Sequence, residues 1–160
     1  MRSAVALVAC LVGLGLVNGA IWQKERQLAE GTVVFLELAP VDPRSLMQGD
    51  YMALRFRIAD QALPRFGMPG DSADGHLVVT LDERRVAAYR RTRGPEPLQA
   101  GELLLRYRVR NGQAKFATNA YFFQEGTAQR YAPARFGEFR VAPDGELLLT
   151  GLRDRDLRPL

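Results

Sequence analysis

The chain contains a single cysteine, Cys10, and a single histidine, His76. One cysteine excludes an intrachain disulfide. One histidine without cysteine neighbours removes the ligand supply of structural zinc and of histidine-rich metal sites, so no metal is expected and no sequence feature calls for a cofactor. Serine is also scarce, at Ser3, Ser45 and Ser72, and lysine is limited to Lys24 and Lys115 beside twenty arginines. That arginine bias reads as genomic base composition and not as a phosphate site. A strong surplus of one charge is missing too: the net charge is only +4, with Asp and Glu interspersed among the arginines. Nucleic-acid binding calls for a one-sided basic stripe with exposed aromatics, so no nucleic-acid partner is expected.

What the chain does have is one long apolar run. Ala4 to Trp22 is broken only by Asn18, and as a helix it spans about 28 Å, close to the hydrocarbon thickness of a bilayer. Trp22 followed by Gln23-Lys24-Glu25-Arg26 has the form of an interfacial ending. A single-pass anchor is the favoured reading. A cleaved signal peptide competes, with Asn18-Gly19-Ala20 a poor small-x-small cleavage site. Lipoprotein processing at Leu7-Val8-Ala9-Cys10 is a third, opposed by the twelve residues of apolar sequence that follow Cys10. Arg2 favours a cytoplasmic amino end, while Lys24 and Arg26 oppose it. The expectation is a globular part outside the inner membrane. Gly15 and Gly19 form a GxxxG pattern that permits close helix approach and a possible helix dimer, although glycine is frequent in membrane helices anyway. Gln23 to Glu30 extends the helix into water, and Gly31 ends it. The division expected is an anchor with helical extension over 1–30 and a β-rich domain over 31–160.

Beyond Gly31 the pattern becomes β. Thr32 to Ala39 is β-branched and apolar, a buried strand. Pro40 to Gly49 is a turn region, and Tyr51 to Ile58 alternates strictly, predicting a half-exposed strand. A loop is expected over Ala59 to Gly75, then strands from His76 to Leu81 and Arg85 to Arg90. The segment Glu102 to Arg110 ends in Asn111-Gly112, a hairpin signal because both residues tolerate positive φ. Tyr121-Phe122-Phe123 is aromatic and reads as core. Thr127 is placed to cap one short helix running to Tyr131 or Ala132. Strands over 136–141 and 146–152 follow, and the charge-balanced residues 153–158 read as a solvated tail. The fold class expected is mainly β: an antiparallel sheet or a small β-sandwich or barrel with one short helix, preceded by a single N-terminal transmembrane helix.

Two blocks carry a family resemblance. Gly49-Asp50-Tyr51-Met52-Ala53-Leu54-Arg55-Phe56 resembles the signature of the bacterial GDYXXLXY domain proteins. The stretch Tyr121 to Ala128, with Tyr131, Ala134 and Gly137-Glu138-Phe139-Arg140-Val141, is similar to that family's second block. The resemblance covers essentially everything after the apolar run. It implies a membrane-anchored protein of no established activity, sometimes associated with polytopic membrane proteins. Phe56 stands where the motif has tyrosine. It falls on the apolar face with Met52 and Leu54, so the position is read as packing, not phenol chemistry.

The chemical alternatives are specific. Ser45 as nucleophile with Lys115 as base would resemble a membrane-tethered Ser–Lys hydrolase of the signal-peptidase type, which needs a desolvated lysine. Asp50, Glu125 and Glu138 could meet for acid/base work. The competing reading has Asp50 accepting turn amides and the two glutamates pairing with arginines such as Arg135 or Arg140. An aromatic-lined small-ligand groove is another possibility. The favoured reading is an accessory β module at the outer surface of the inner membrane, in the periplasm, contacting another envelope protein. Its candidate contact and motif residues are Gly49, Asp50, Tyr51, Leu54, Arg55, Phe56, Arg57, Glu125, Gly126, Tyr131 and Glu138.

Overall fold

The computed structural model describes residues 2–39, 47–48, 51–62 and 72–160. Helix α1 (Arg2–Glu30) comes first. Its Leu7–Glu30 stretch is long and apolar enough to cross a membrane, with a mean hydropathy of 1.4, and none of it packs inside the protein over the most apolar window. Leu11, Leu14, Leu16, Val17 and Trp22 all stand exposed. Gly31 closes the helix by donating its N–H to the Gln27 carbonyl at 2.9 Å. A Cβ at Gly31 would lie 2.4 Å from that oxygen and 3.1 Å from the Arg140 Cβ, so only glycine fits this crossing.

The rest is mainly β, built from antiparallel sheets. The first sheet has the order β1-β9-β10, from β1 (Thr32–Glu37), β9 (Phe136–Val141) and β10 (Leu147–Arg153). The second has the order β5-β4-β6-β7, from β4 (Ser72–Leu81), β5 (Ala87–Thr92), β6 (Glu102–Arg110) and β7 (Gln113–Lys115). A third small sheet joins β2 (Met47–Gln48), β3 (Tyr51–Ala53) and β8 (Ala120–Phe122). Alternation places Val34, Leu36, Phe139, Val141 and Leu152 on the inner face of the first sheet. It places Leu77, Val79, Leu105, Tyr107 and Val109 on the inner face of the second, and both faces feed one core. The β6–β7 turn holds Asn111 at φ 52° and Gly112 at φ 73°, the twist a two-residue hairpin requires.

Several expectations are corrected. The strand predicted over Tyr51 to Ile58 lasts only through Ala53, and helix α2 (Arg57–Ala62) follows. Met52, Leu54, Phe56 and Ile58 are all buried as the alternation implied. However, Ile58, Ala59 and Ala62 also share a helical stripe against the core, and a short apolar pattern does not distinguish the two periods. The part of the expected loop from Ser72 onward is instead the start of β4, held against β6 in a register from Ser72↔Arg110 to Thr80↔Glu102. His76 therefore sits inside a strand, opposite Arg106, and does not open one. Helix α3 (Ala128–Tyr131) exists, but Thr127 does not cap it: its hydroxyl donates backward to the Gln124 carbonyl at 2.6 Å. Among the described residues there are thus two short helices after α1, not one. The tail is not simply solvated either. Asp154 Oδ1 accepts the Asp156 and Arg158 amides, which curls the chain so that the Leu160 N–H reaches the Leu152 carbonyl and its side chain meets the core.

Candidate functional site

The two signature blocks meet in space. Strand β3 pairs with β8, setting Tyr51 opposite Phe122, Met52 opposite Tyr121 and Ala53 opposite Ala120. The Leu54 N–H then bonds the Asn119 carbonyl at 2.7 Å, carrying the contact past the strand end. Met52 and Leu54 turn inward. Phe56 is the centre of an aromatic cluster, edge-on to Phe116 at 6.0 Å and to Phe139 at 5.5 Å between ring centroids. Gly137 of the second block lies beneath the same ring: a Cβ there would stand 3.0 Å from carbons of Phe56 and of Phe139. The last position of the first motif and the glycine of the second are one packing unit.

On the opposite side of the small sheet Tyr51, Ala53 and Ala120 are half-buried and Phe122 is exposed. Phe122 is 74% exposed, with its ring 5.8 Å from that of half-buried Tyr51. This corrects the reading of the whole aromatic run as core: Tyr121 and Phe123 pack against it, and Phe122 does not. Tyr131 stacks on Phe123 at 5.1 Å and meets Tyr121 at 5.3 Å. Desolvation, then the neighbouring Tyr131, pushes the Tyr121 phenol above its ordinary range. Arg55 and Arg57 point to solvent but are engaged, with Asp60 at 3.5 Å and Glu37 at 2.9 Å. Glu125 is exposed in a turn closed by Gly126 at φ 79°.

Glu138 is buried on the outer face of the first sheet, where its carboxylate accepts from the Arg153 guanidinium. The arginine partner is therefore Arg153, and not Arg135 or Arg140. Register explains this. Arg153 and Glu138 project from the same face of neighbouring strands, while the β10 bulge between Leu149 and Gly151 shifts them together. Ser45, Gly49 and Asp50 lie outside the described residues. Lys115 is exposed on β7, without the burial a Ser–Lys base requires. Among the described residues no group of three or more His, Cys, Asp or Glu side chains is assembled as a metal site.

Two features escaped sequence reasoning. One is a cleft of about 280 Å³ lined by Arg106, Arg108, Lys115, Ala117, Glu146 and Leu147. Strand β7 is so short that it covers β6 only from Arg108 onward, and the β9–β10 turn fills the next place, its Gly145 carbonyl accepting the Arg106 N–H at 2.8 Å. The cleft opens between the two. The strict alternation Arg106-Tyr107-Arg108-Val109-Arg110 was the available signal for its basic wall. The other is Gln27, buried at the foot of α1, whose side-chain amide donates to the carbonyls of Arg140 at 3.1 Å and Glu146 at 2.9 Å. Lys24 Nζ adds an ion pair to Glu146 at 2.6 Å, and Arg140 Nη1 returns a bond to the Gly31 carbonyl. A glutamine in a polar helical stretch gives no hint of this.

The features define a small antiparallel β domain clasped to the end of an apolar helix, with two sequence blocks that meet in its surface ledge and in one part of its core. The chain belongs to the GDYXXLXY protein family, whose sequence model matches residues 13–152. The match begins inside α1, so the family includes the end of the helix, and it stops before the curled tail. No curated protein and no solved structure shows a significant match.

Proposed function

We propose that this protein is an accessory module tethered to the bacterial inner membrane by α1, with its β domain on the periplasmic side, where it docks a polytopic membrane protein. The observation that carries this reading is the Tyr51–Phe122 ledge: a phenylalanine left 74% exposed directly opposite the tyrosine of the family signature. Scattered surface apolar residues need no explanation. This one is paired across strands with a signature residue and lies in a domain whose orientation to the helix is held by Gln27 and Lys24. Aromatic side chains with one apolar face are the preferred anchors of protein contacts. Because Arg55 and Arg57 already have acidic partners, the contact centres on the aromatic pair, with the arginines as its rim. Open space around Gly15 and Gly19 leaves α1 room for a partner helix, another copy or a span of the target.

The test is photocrosslinking in native membranes, with the reactive residue placed at position 122 and, as control, at exposed Arg90 on β5. Adducts to a polytopic membrane protein from position 122 alone are expected. Adducts that are absent, or that are the same from both positions, would overturn the docking reading. A carboxyl-terminal reporter active only in the cytoplasm would overturn the periplasmic placement.

A further inference from the structure

We infer that the cleft between β7 and the β9–β10 turn binds the phosphate of an anionic phospholipid head group, tying the domain to the bilayer surface at a second point. The inference rests on α1 being membrane-embedded, and it is independent of which side the domain occupies.

Three cations converge on the cleft. Arg106 and Arg108 alternate outward from β6, and Lys115 stands directly opposite Arg108 on β7. No ion-pair partner occupies any of the three among the described residues. The acids nearby are already committed: Glu146 to Lys24, and Asp74, opposite Arg108 on β4, to Arg110 through two bonds of 2.6 and 3.0 Å. The surplus charge of this face is felt at Asp74, whose carboxyl is held below its ordinary range by the Arg110 hydrogen bond first and by the charges of Arg110, Arg108 and Arg106 after it. Two guanidinium forks and an ammonium around a cleft of about 280 Å³ suit a single phosphate group, and the volume falls at the lower end for small-molecule sites.

Position selects the lipid as the source of that phosphate. Glu146 lines the cleft and is also the residue gripped by α1, through Lys24 at its side chain and Gln27 at its carbonyl. Lys24 follows Trp22 by two residues, about 3 Å along a helix axis. With Trp22 at the interface, the cleft rim therefore lies at head-group depth. Cations held at that depth attract anionic lipid, and their pull fades within a Debye length of the surface, so remote arginines would not serve.

The experiment uses the full chain in phosphatidylcholine nanodiscs containing a minority of phosphatidylglycerol, with retained lipid read by native mass spectrometry. Retention of phosphatidylglycerol over phosphatidylcholine is expected. It should fall about fivefold with each of Arg106→Gln, Arg108→Gln and Lys115→Gln, and fall as well with added salt. These side chains are exposed, so thermal unfolding should stay unchanged. If one of these variants fails to fold, the other two decide. Equal retention of both lipids, or retention indifferent to the substitutions, overturns the inference while leaving the anchor intact. Inorganic phosphate that displaces the lipid fully at matched concentration assigns the site to free phosphate and also overturns it. A chain that does not enter the discs overturns the anchor reading and this inference together.

Discussion

Gln27, at the foot of the apolar helix, donates its side-chain amide to the main-chain oxygen of Glu146 at 2.9 Å, and the same nitrogen reaches the Arg140 oxygen at 3.1 Å. One buried side chain thus satisfies two carbonyls where the helix meets the sheet. Gln27→Ala removes both bonds and should cost about 1–3 kcal/mol. Its more specific effect is on geometry. Distances between spin labels on α1 and on β10 should broaden, while the core remains folded. A narrow, unshifted distance distribution would show that Lys24–Glu146 and the Arg140 bond to the Gly31 carbonyl hold the joint without Gln27. Gln27→Glu should be worse than alanine, because a carboxylate would face two carbonyl oxygens.

Gly137→Ala should destabilise the domain by about 1–3 kcal/mol through overpacking. The added carbon would lie 3.0 Å from both Phe56 and Phe139, and 3.4 Å from Leu149. Phe56 cannot retreat easily, because Phe116 meets its ring at an interplanar angle of 88°. Adding Phe56→Leu to Gly137→Ala should recover part of the loss measured by denaturant unfolding, since leucine vacates the space above position 137. Purely additive losses would place the strain elsewhere.

Phe56 also illustrates what the sequence made legible. Its alternation with Met52, Leu54 and Ile58 correctly announced burial, because core facing repeats every second residue in extended chain. It misjudged the element, because Ile58 and Ala62 satisfy a helical period equally well. The Asn111-Gly112 hairpin was readable from backbone chemistry confined to two residues. The Glu138–Arg153 pair, the Gln27 clasp and the cleft were not. Each depends on register or on where a strand stops: the bulge before Gly151, the docking of a turn on β6, the three-residue length of β7. Local propensity carries no information about such distant partners.

Breaking the Glu138–Arg153 pair should be costly because Glu138 is nearly sealed from water. Glu138→Gln leaves a partly buried guanidinium without its charge partner, at about 2 kcal/mol, reduced from the fully buried case by the exposure of Arg153. Arg153→Met leaves a buried carboxylate and should cost more. Combining Glu138→Gln with Arg153→Met should recover stability relative to the worse single variant. A double-mutant cycle with no coupling would mean the pair is merely adjacent.

The Asp74–Arg110 pair gives the acid limb of the stability profile a testable sign. Its two bonds, followed by the charges of Arg110, Arg108 and Arg106, hold the Asp74 carboxyl below its ordinary value of 3.8. A carboxyl lowered on folding contributes stability that is complete above its unfolded value and is lost as pH falls through the folded one. The loss attributable to Asp74 therefore begins below about pH 3.8 and is small, because the pair is exposed. Arg110→Gln should move the Asp74 titration upward, followed by carboxyl carbon NMR, since it removes the largest cause. Arg106→Gln with Arg108→Gln should move it upward by less, and added salt should shrink that smaller displacement because it is purely Coulombic. A titration indifferent to Arg106 and Arg108 would show that the basic face exerts no field at Asp74, which would also weaken the case for an anion in the neighbouring cleft.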